Sequence, residues 1–68
     1  MDERSAIQRT VDLLSTGEVA GIVLKSGETI QVRRVTNVNQ TAETTRIIPR
    51  QGRPLTVELI RIDEVHLR

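Results

Sequence analysis

Val19-Ala20-Gly21-Ile22-Val23-Leu24-Lys25-Ser26-Gly27-Glu28-Thr29-Ile30-Gln31-Val32-Arg33-Arg34-Val35 is the stretch that decides the fold. Its first six residues are a short apolar run rich in β-branched side chains, the composition of a buried strand. Lys25 to Glu28 interrupts that run with a hairpin turn, in which Gly27 is free to take positive φ. The alternation then resumes with Ile30 and Val32 on one face and Thr29, Gln31 and Arg33 on the other. At Arg33-Arg34 the parity slips by one, so that Val35 returns to the apolar face a residue late. A β-bulge absorbs an extra residue of this kind and bends the strand sharply. A hairpin followed by a bent strand is the beginning of a small, strongly curved sheet.

On the N-terminal side the period changes from two to 3.6. Ile7, Val11 and Leu14 stand at i, i+4 and i+7, one stripe of an amphipathic helix within residues 1–17. Ser5 and Gln8 have capping-box spacing, Asp2 and Glu3 suit the positive helix end, and Gly17 suits a left-handed C-cap. On the C-terminal side, residues 39–45 are polar and read as a loop or hairpin tip. Arg46-Ile47-Ile48-Pro49 reads as a third strand and Gln51-Gly52-Arg53-Pro54 as a turn. Leu55, Val57 and Leu59 alternate until a second parity slip at Leu59-Ile60. Asp63-Glu64 is read as a tight link to a last strand, Val65-His66-Leu67. The expected strands are 18–25, 28–38, 44–49, 54–62 and 64–67. The fold class is therefore mainly β: an N-terminal α-helix on a five-stranded, strongly bent antiparallel small barrel, one domain over residues 1–68.

Composition narrows the chemistry. The 68 residues contain no Cys, Phe, Tyr or Trp and a single histidine, His66. Disulfides and thiolate metal sites are thereby excluded, and the core must be built from Ile, Val, Leu and Ala. A small aliphatic core leaves little stability in hand, which argues for help from other copies of the chain. No apolar run is long enough to span a bilayer as a helix. Met1-Asp2-Glu3-Arg4 has neither a basic flank nor an apolar signal region, so a cytoplasmic location is expected. Net charge is +1 but unevenly spread. Residues 25–56 hold Lys25, Arg33, Arg34, Arg46, Arg50 and Arg53 against only Glu28 and Glu43. Both flanking segments have more acidic than basic side chains.

The helix and strand order resembles the Sm-like, Hfq-like family of small β-barrels. Val19–Leu24, Lys25-Ser26-Gly27 and Thr29–Val32 look like that family's opening hairpin. Leu59-Ile60-Arg61-Ile62-Asp63-Glu64-Val65 is similar to its closing motif, in which an arginine precedes the last strand. Ile62 replaces the glycine that usually follows that arginine. Asn37 and Asn39 are the only candidates for the family's base-contacting asparagine, and its aspartate and stacking aromatic are absent. SH3-like barrels share the strand pattern. The resemblance implies a homo-oligomeric ring in which the fourth strand of one protomer pairs with the fifth of the next. Leu55, Val57, Leu59, Ile60, Ile62, Val65 and Leu67 would then supply the interface.

The leading functional expectation is an oligomer that binds nucleic acid, in particular single-stranded RNA. Arginine neutralises phosphate and can hold it bidentately. The candidate residues are Arg33, Arg34, Asn37, Asn39, Arg46, Arg50, Arg53 and Arg61, with Lys25 and His66 behind them. The plainer reading makes these solvated side chains, some paired with Glu28, Glu43 and Glu58. The alternative function is a non-enzymatic structural or adaptor module, bacterial or phage, that forms a ring and binds protein partners. No catalytic residue, cofactor, metal site or small-molecule substrate is expected. No carboxylate pair adjoins a histidine, no phosphate loop or serine elbow exists, and Asp63-Glu64 has no third ligand.

Overall fold

The computed structural model describes residues 3–68. A helix, α1 (Glu3–Leu14), precedes five strands: β1 (Val19–Leu24), β2 (Thr29–Asn39), β3 (Thr44–Pro49), β4 (Leu55–Glu58) and β5 (Ile62–Leu67). A single 3-10 turn, η1 (Leu59–Arg61), joins β4 to β5. The strands form one antiparallel sheet in the order β4-β3-β2-β1-β5.

The bend lies where the parity slip puts it. Residues 29–31 of β2 pair with β1, whereas Val32 and the residues after it pair with β3. The register shifts between Val32 and Arg34, leaving Arg33 as the extra residue at the corner. A second shift falls between Val35 and Asn37, at Thr36. Two bulges in one strand turn it from one set of partners to the other and increase its twist. The hairpin before it closes through Gly27 N–H to Leu24 O (2.8 Å) and Leu24 N–H to Glu28 O (2.8 Å), with Gly27 at φ 93°. A side chain at Gly27 would force a β-carbon into left-handed backbone.

The helix stripe meets the sheet as its spacing requires. Val11 and Leu14 are buried and Ile7 is half-buried against them. They join Val19, Ile22, Leu24, Val32, Ile47, Val57, Leu59 and Ile62 in one aliphatic core. Gly17, at φ 78°, ends the helix and lets the chain reverse into β1. Ser5 lies inside the helix and is not its N-cap, and Gln8 Nε2 donates to Asp12 Oδ1 (3.0 Å). Asp2 lies outside the described residues. The helix is too short and polar to cross a membrane, and so is every other helix among the described residues.

Three expectations are corrected. The sheet does not close into a barrel: β4 and β5 stand at its two ends, unpaired with one another. The expected fourth strand 54–62 is β4 followed by η1, so the slip at Leu59-Ile60 is a 3-10 turn and not a bulge. A 3-10 turn reverses the inward face just as a bulge does, and the pattern alone cannot separate them. Asp63 and Glu64 belong to β5, which starts at Ile62.

Candidate nucleic-acid interface

Cross-strand partners share a face of the sheet. The outer face of β2, β3 and β4 is therefore built in rows: Arg34 beside Ile48, then Asn37, Arg46 and Thr56, then Asn39, Thr44 and Glu58. The inner rows are apolar, with Val32 beside Pro49 and Val35 beside Ile47 and Leu55. Arg33, extruded by the bulge, is exposed next to Arg34, and the two line a shallow depression with Ile48.

Among the described residues Thr45 is the one buried polar side chain, and it fixes this surface from beneath. Its Oγ1 donates to Asn37 O (2.8 Å), while Thr36 Oγ1 donates to Arg46 O (3.1 Å). The two hydroxyls tie β2 to β3 where the second bulge disturbs the ladder. Arg68 reaches the first bulge, donating from Nη2 to Arg33 O (2.6 Å). Replacing Thr45 with valine keeps the shape but leaves the Asn37 carbonyl without that donor. The expected cost is about 1 kcal/mol, or about 4–8 °C in melting temperature for a domain of this size, read by circular dichroism.

The arginines carry no internal counter-charge. Among the described residues no lysine or arginine lies within ion-pair distance of a carboxylate, and the one close acid–base contact is His66 Nε2 with Glu64 Oε2 (3.4 Å), both largely exposed. Pairing of the candidate arginines with Glu28, Glu43 or Glu58 does not occur. Every one of the candidate arginines is exposed. Guanidiniums left unpaired at the surface retain their full field and all their donors for a ligand.

The eight candidates do not form one site. Arg33, Arg34, Asn37 and Arg46 share the outer face. Arg50, Arg53 and Arg61 instead line a separate hollow of about 750 Å³ between β4 and the β1–β2 turn. Asn39 is occupied locally, its Oδ1 accepting from Ala42 N–H (2.9 Å) across the hairpin tip. Asn37 keeps its side-chain amide free. Lys25 and His66 lie apart, lining a groove between α1 and β5.

The expected interface residues also divide. Val57, Leu59 and Ile62 point into the chain's own core, at 5%, 1% and 5% exposure, and Leu55 and Val65 are half-buried against it. Only Ile60 and Leu67 are large apolar side chains open to solvent, at 42% and 43%. The outer edges of β4 and β5 pair with no other strand among the described residues.

Two features had no sequence signal. Thr45 reads as one more polar residue, and Arg68 stands far from Arg33 in the chain. Among the described residues, no three His, Asp or Glu side chains are grouped as a metal would require. No protein-family model, curated protein or solved structure matches the chain.

Proposed function

We propose that this chain is a homo-oligomeric single-stranded-RNA-binding protein of Sm-like architecture, with the outer face of β2–β4 as its contact surface. The observation that carries this reading is a set of arginines, Arg33, Arg34 and Arg46, held on one bent sheet face with no carboxylate in ion-pair reach. Arg46 shares its row with Asn37, whose free amide offers both a donor and an acceptor. Watson–Crick edges are open to such an amide in unpaired RNA, whereas in an A-form duplex they are taken up by pairing and the major groove is too deep and narrow to read. No aromatic side chain is present to stack on bases. Guanidinium planes take that part, and phosphate contact supplies most of the affinity.

The oligomer is supported by the two sheet ends. An unpaired strand edge is a template for another strand, and stable proteins cover or close such edges. The two edges differ, so pairing β4 of one copy with β5 of the next is a head-to-tail contact, and closing it makes a ring. Ile60 and Leu67 would be covered at that junction. A ring repeats the arginine face once per protomer and so multiplies its contacts with one strand.

The test is titration of a labelled single-stranded RNA of mixed sequence across a salt series, with a duplex of equal length beside it. Saturable binding that favours the single strand and weakens steeply with salt is expected, with a slope of about −0.7 per phosphate engaged. Absence of binding at low salt would move the assignment to the protein-binding ring.

A further inference from the structure

The hollow that holds Arg50, Arg53 and Arg61 lies apart from the outer-face surface and has its own construction. Its floor is the margin of the core, where half-buried Ile30 and Leu55 lie beside buried Leu24. Three guanidiniums stand around it, and Glu28 is the only acidic side chain among its lining. None of the three arginines is within ion-pair distance of a carboxylate among the described residues. Gln31 and Thr29 also line it, and neither side chain is engaged in a hydrogen bond.

The framework beneath these arginines is fixed before any ligand arrives. Arg50 N–H donates to Gln31 O (2.9 Å), which clamps the start of the β3–β4 loop to β2. Arg61 O accepts from Lys25 N–H (2.8 Å), which clamps η1 to the β1–β2 turn. Arg53 lies between Gly52 and Pro54 in the turn leading into β4. Binding therefore has only side chains to order, which keeps its entropic cost small. The volume of about 750 Å³ lies in the range of small-molecule sites.

A ligand matching these features has a compact dianionic end for the guanidiniums and a flat, mostly apolar body for the aliphatic floor. It also has polar edges for the Gln31 amide and the Thr29 hydroxyl. We infer that the hollow is a binding site for a nucleoside monophosphate, either free or as the 5′-phosphorylated end of a strand. The phosphate sits among Arg50, Arg53 and Arg61, where planar guanidiniums take its oxygens in charge-assisted pairs. The base lies on Leu24, Ile30 and Leu55. This site is independent of the outer face and needs no oligomer.

The experiment is an amide chemical-shift titration of the full chain with AMP, adenosine and inorganic phosphate, each alone. AMP is expected to give saturable shifts at Gln31, residues 50–53 and Arg61, leaving residues 33–37 still. Adenosine and phosphate are expected to bind at least about tenfold more weakly than AMP, since each satisfies half of the site. Arg50→Ala/Arg53→Ala should weaken AMP by about tenfold or more while the remaining amide pattern stays in place, showing that the fold is intact. Arg33→Ala/Arg34→Ala should leave AMP binding unchanged. A 5′-phosphorylated trinucleotide that shifts the same amides, where its 5′-hydroxyl counterpart does not, assigns the site to strand ends. AMP binding without that difference assigns it to the free nucleotide. The inference is overturned if AMP gives no saturable shift at millimolar concentration or if adenosine binds as well as AMP. It is equally overturned if the shifts fall on residues 33–37, or if an acidic peptide displaces AMP at equal concentration.

Discussion

Ile22→Ala is expected to remove half or more of the chain's folding stability. Ile22 is fully buried in β1, paired to Ile30 on one side and Val65 on the other. It thus sits at the only strand that joins β5 to the rest of the sheet. Truncating a buried isoleucine costs about 2–5 kcal/mol through lost transfer energy and the cavity left behind. A domain of this length has roughly 3–10 kcal/mol of stability in total. Without aromatic side chains to slide into the void, the aliphatic core relaxes poorly, and the cost falls toward the upper end. Urea unfolding followed by far-ultraviolet circular dichroism is the measurement, because the chain lacks Trp and Tyr. Ile60→Ala, at an exposed position, should change stability by no more than about 0.5 kcal/mol. A small effect at Ile22 would show that the β1 strand is not central to the fold.

Arg33→Ala/Arg34→Ala/Arg46→Ala is expected to abolish most RNA affinity without touching stability. None of these guanidiniums makes a hydrogen bond or ion pair within the described residues, so their removal costs the fold little. The bond from Arg68 to the bulge uses the Arg33 carbonyl and survives the substitution. Each lost phosphate contact lowers the salt slope by about 0.7, so the slope should fall by about 2 for a single engaged protomer and by more in a ring. At moderate salt that is a loss of tenfold or more, by the same relation. Arg4→Ala/Arg9→Ala, which removes two charges from the helix, is the control and should leave binding unchanged. Equal losses per charge removed in the two variants would mean that RNA responds to overall charge alone and would remove the outer-face assignment.

The parts of this architecture that were legible in the sequence are those set by local rules. The stripe Ile7, Val11 and Leu14 marks a helix whose buried face is the one observed. Gly27 marks a hairpin, and the two arginines before Val35 mark a bulge at the corner of the sheet. The parts that escaped are set by contacts distant along the chain. Whether β4 meets β5 depends on accumulated twist over five strands, which no window of residues contains. At Leu59-Ile60 a 3-10 turn and a bulge produce the same slip of parity. Val57, Leu59 and Ile62 read as interface because their apolar character is visible, while the helix and strands that complete their core lie far earlier in the chain.

The candidate site shows the same division. Residue type identified arginine as the carrier of charge, and the chain indeed leaves those arginines unpaired. Grouping is a matter of register. Asn37 lies opposite Arg46 only because Thr36 is extruded, and Arg61 falls in with Arg50 and Arg53 because η1 turns it away from the Asn37 row. The hydroxyl of Thr45 is buried because it faces the core and finds the carbonyl that the bulge releases. Among the described residues Glu43 is the one non-glycine residue at positive φ, 56°, and its carbonyl accepts from Leu59 N–H (2.9 Å), fixing the hairpin tip to η1. A glutamate gives no warning of that conformation.

The ring in this reading rests on copies of the chain joining edge to edge, and its mass in solution decides that directly. Light scattering on nuclease-treated protein, followed through serial dilution into the micromolar range, is the measurement. The expected result is one species at a fixed integer multiple of the 7.7 kDa protomer, unchanged on dilution. A single species at 7.7 kDa at every concentration would contradict it, leaving both sheet edges open and the ring without foundation.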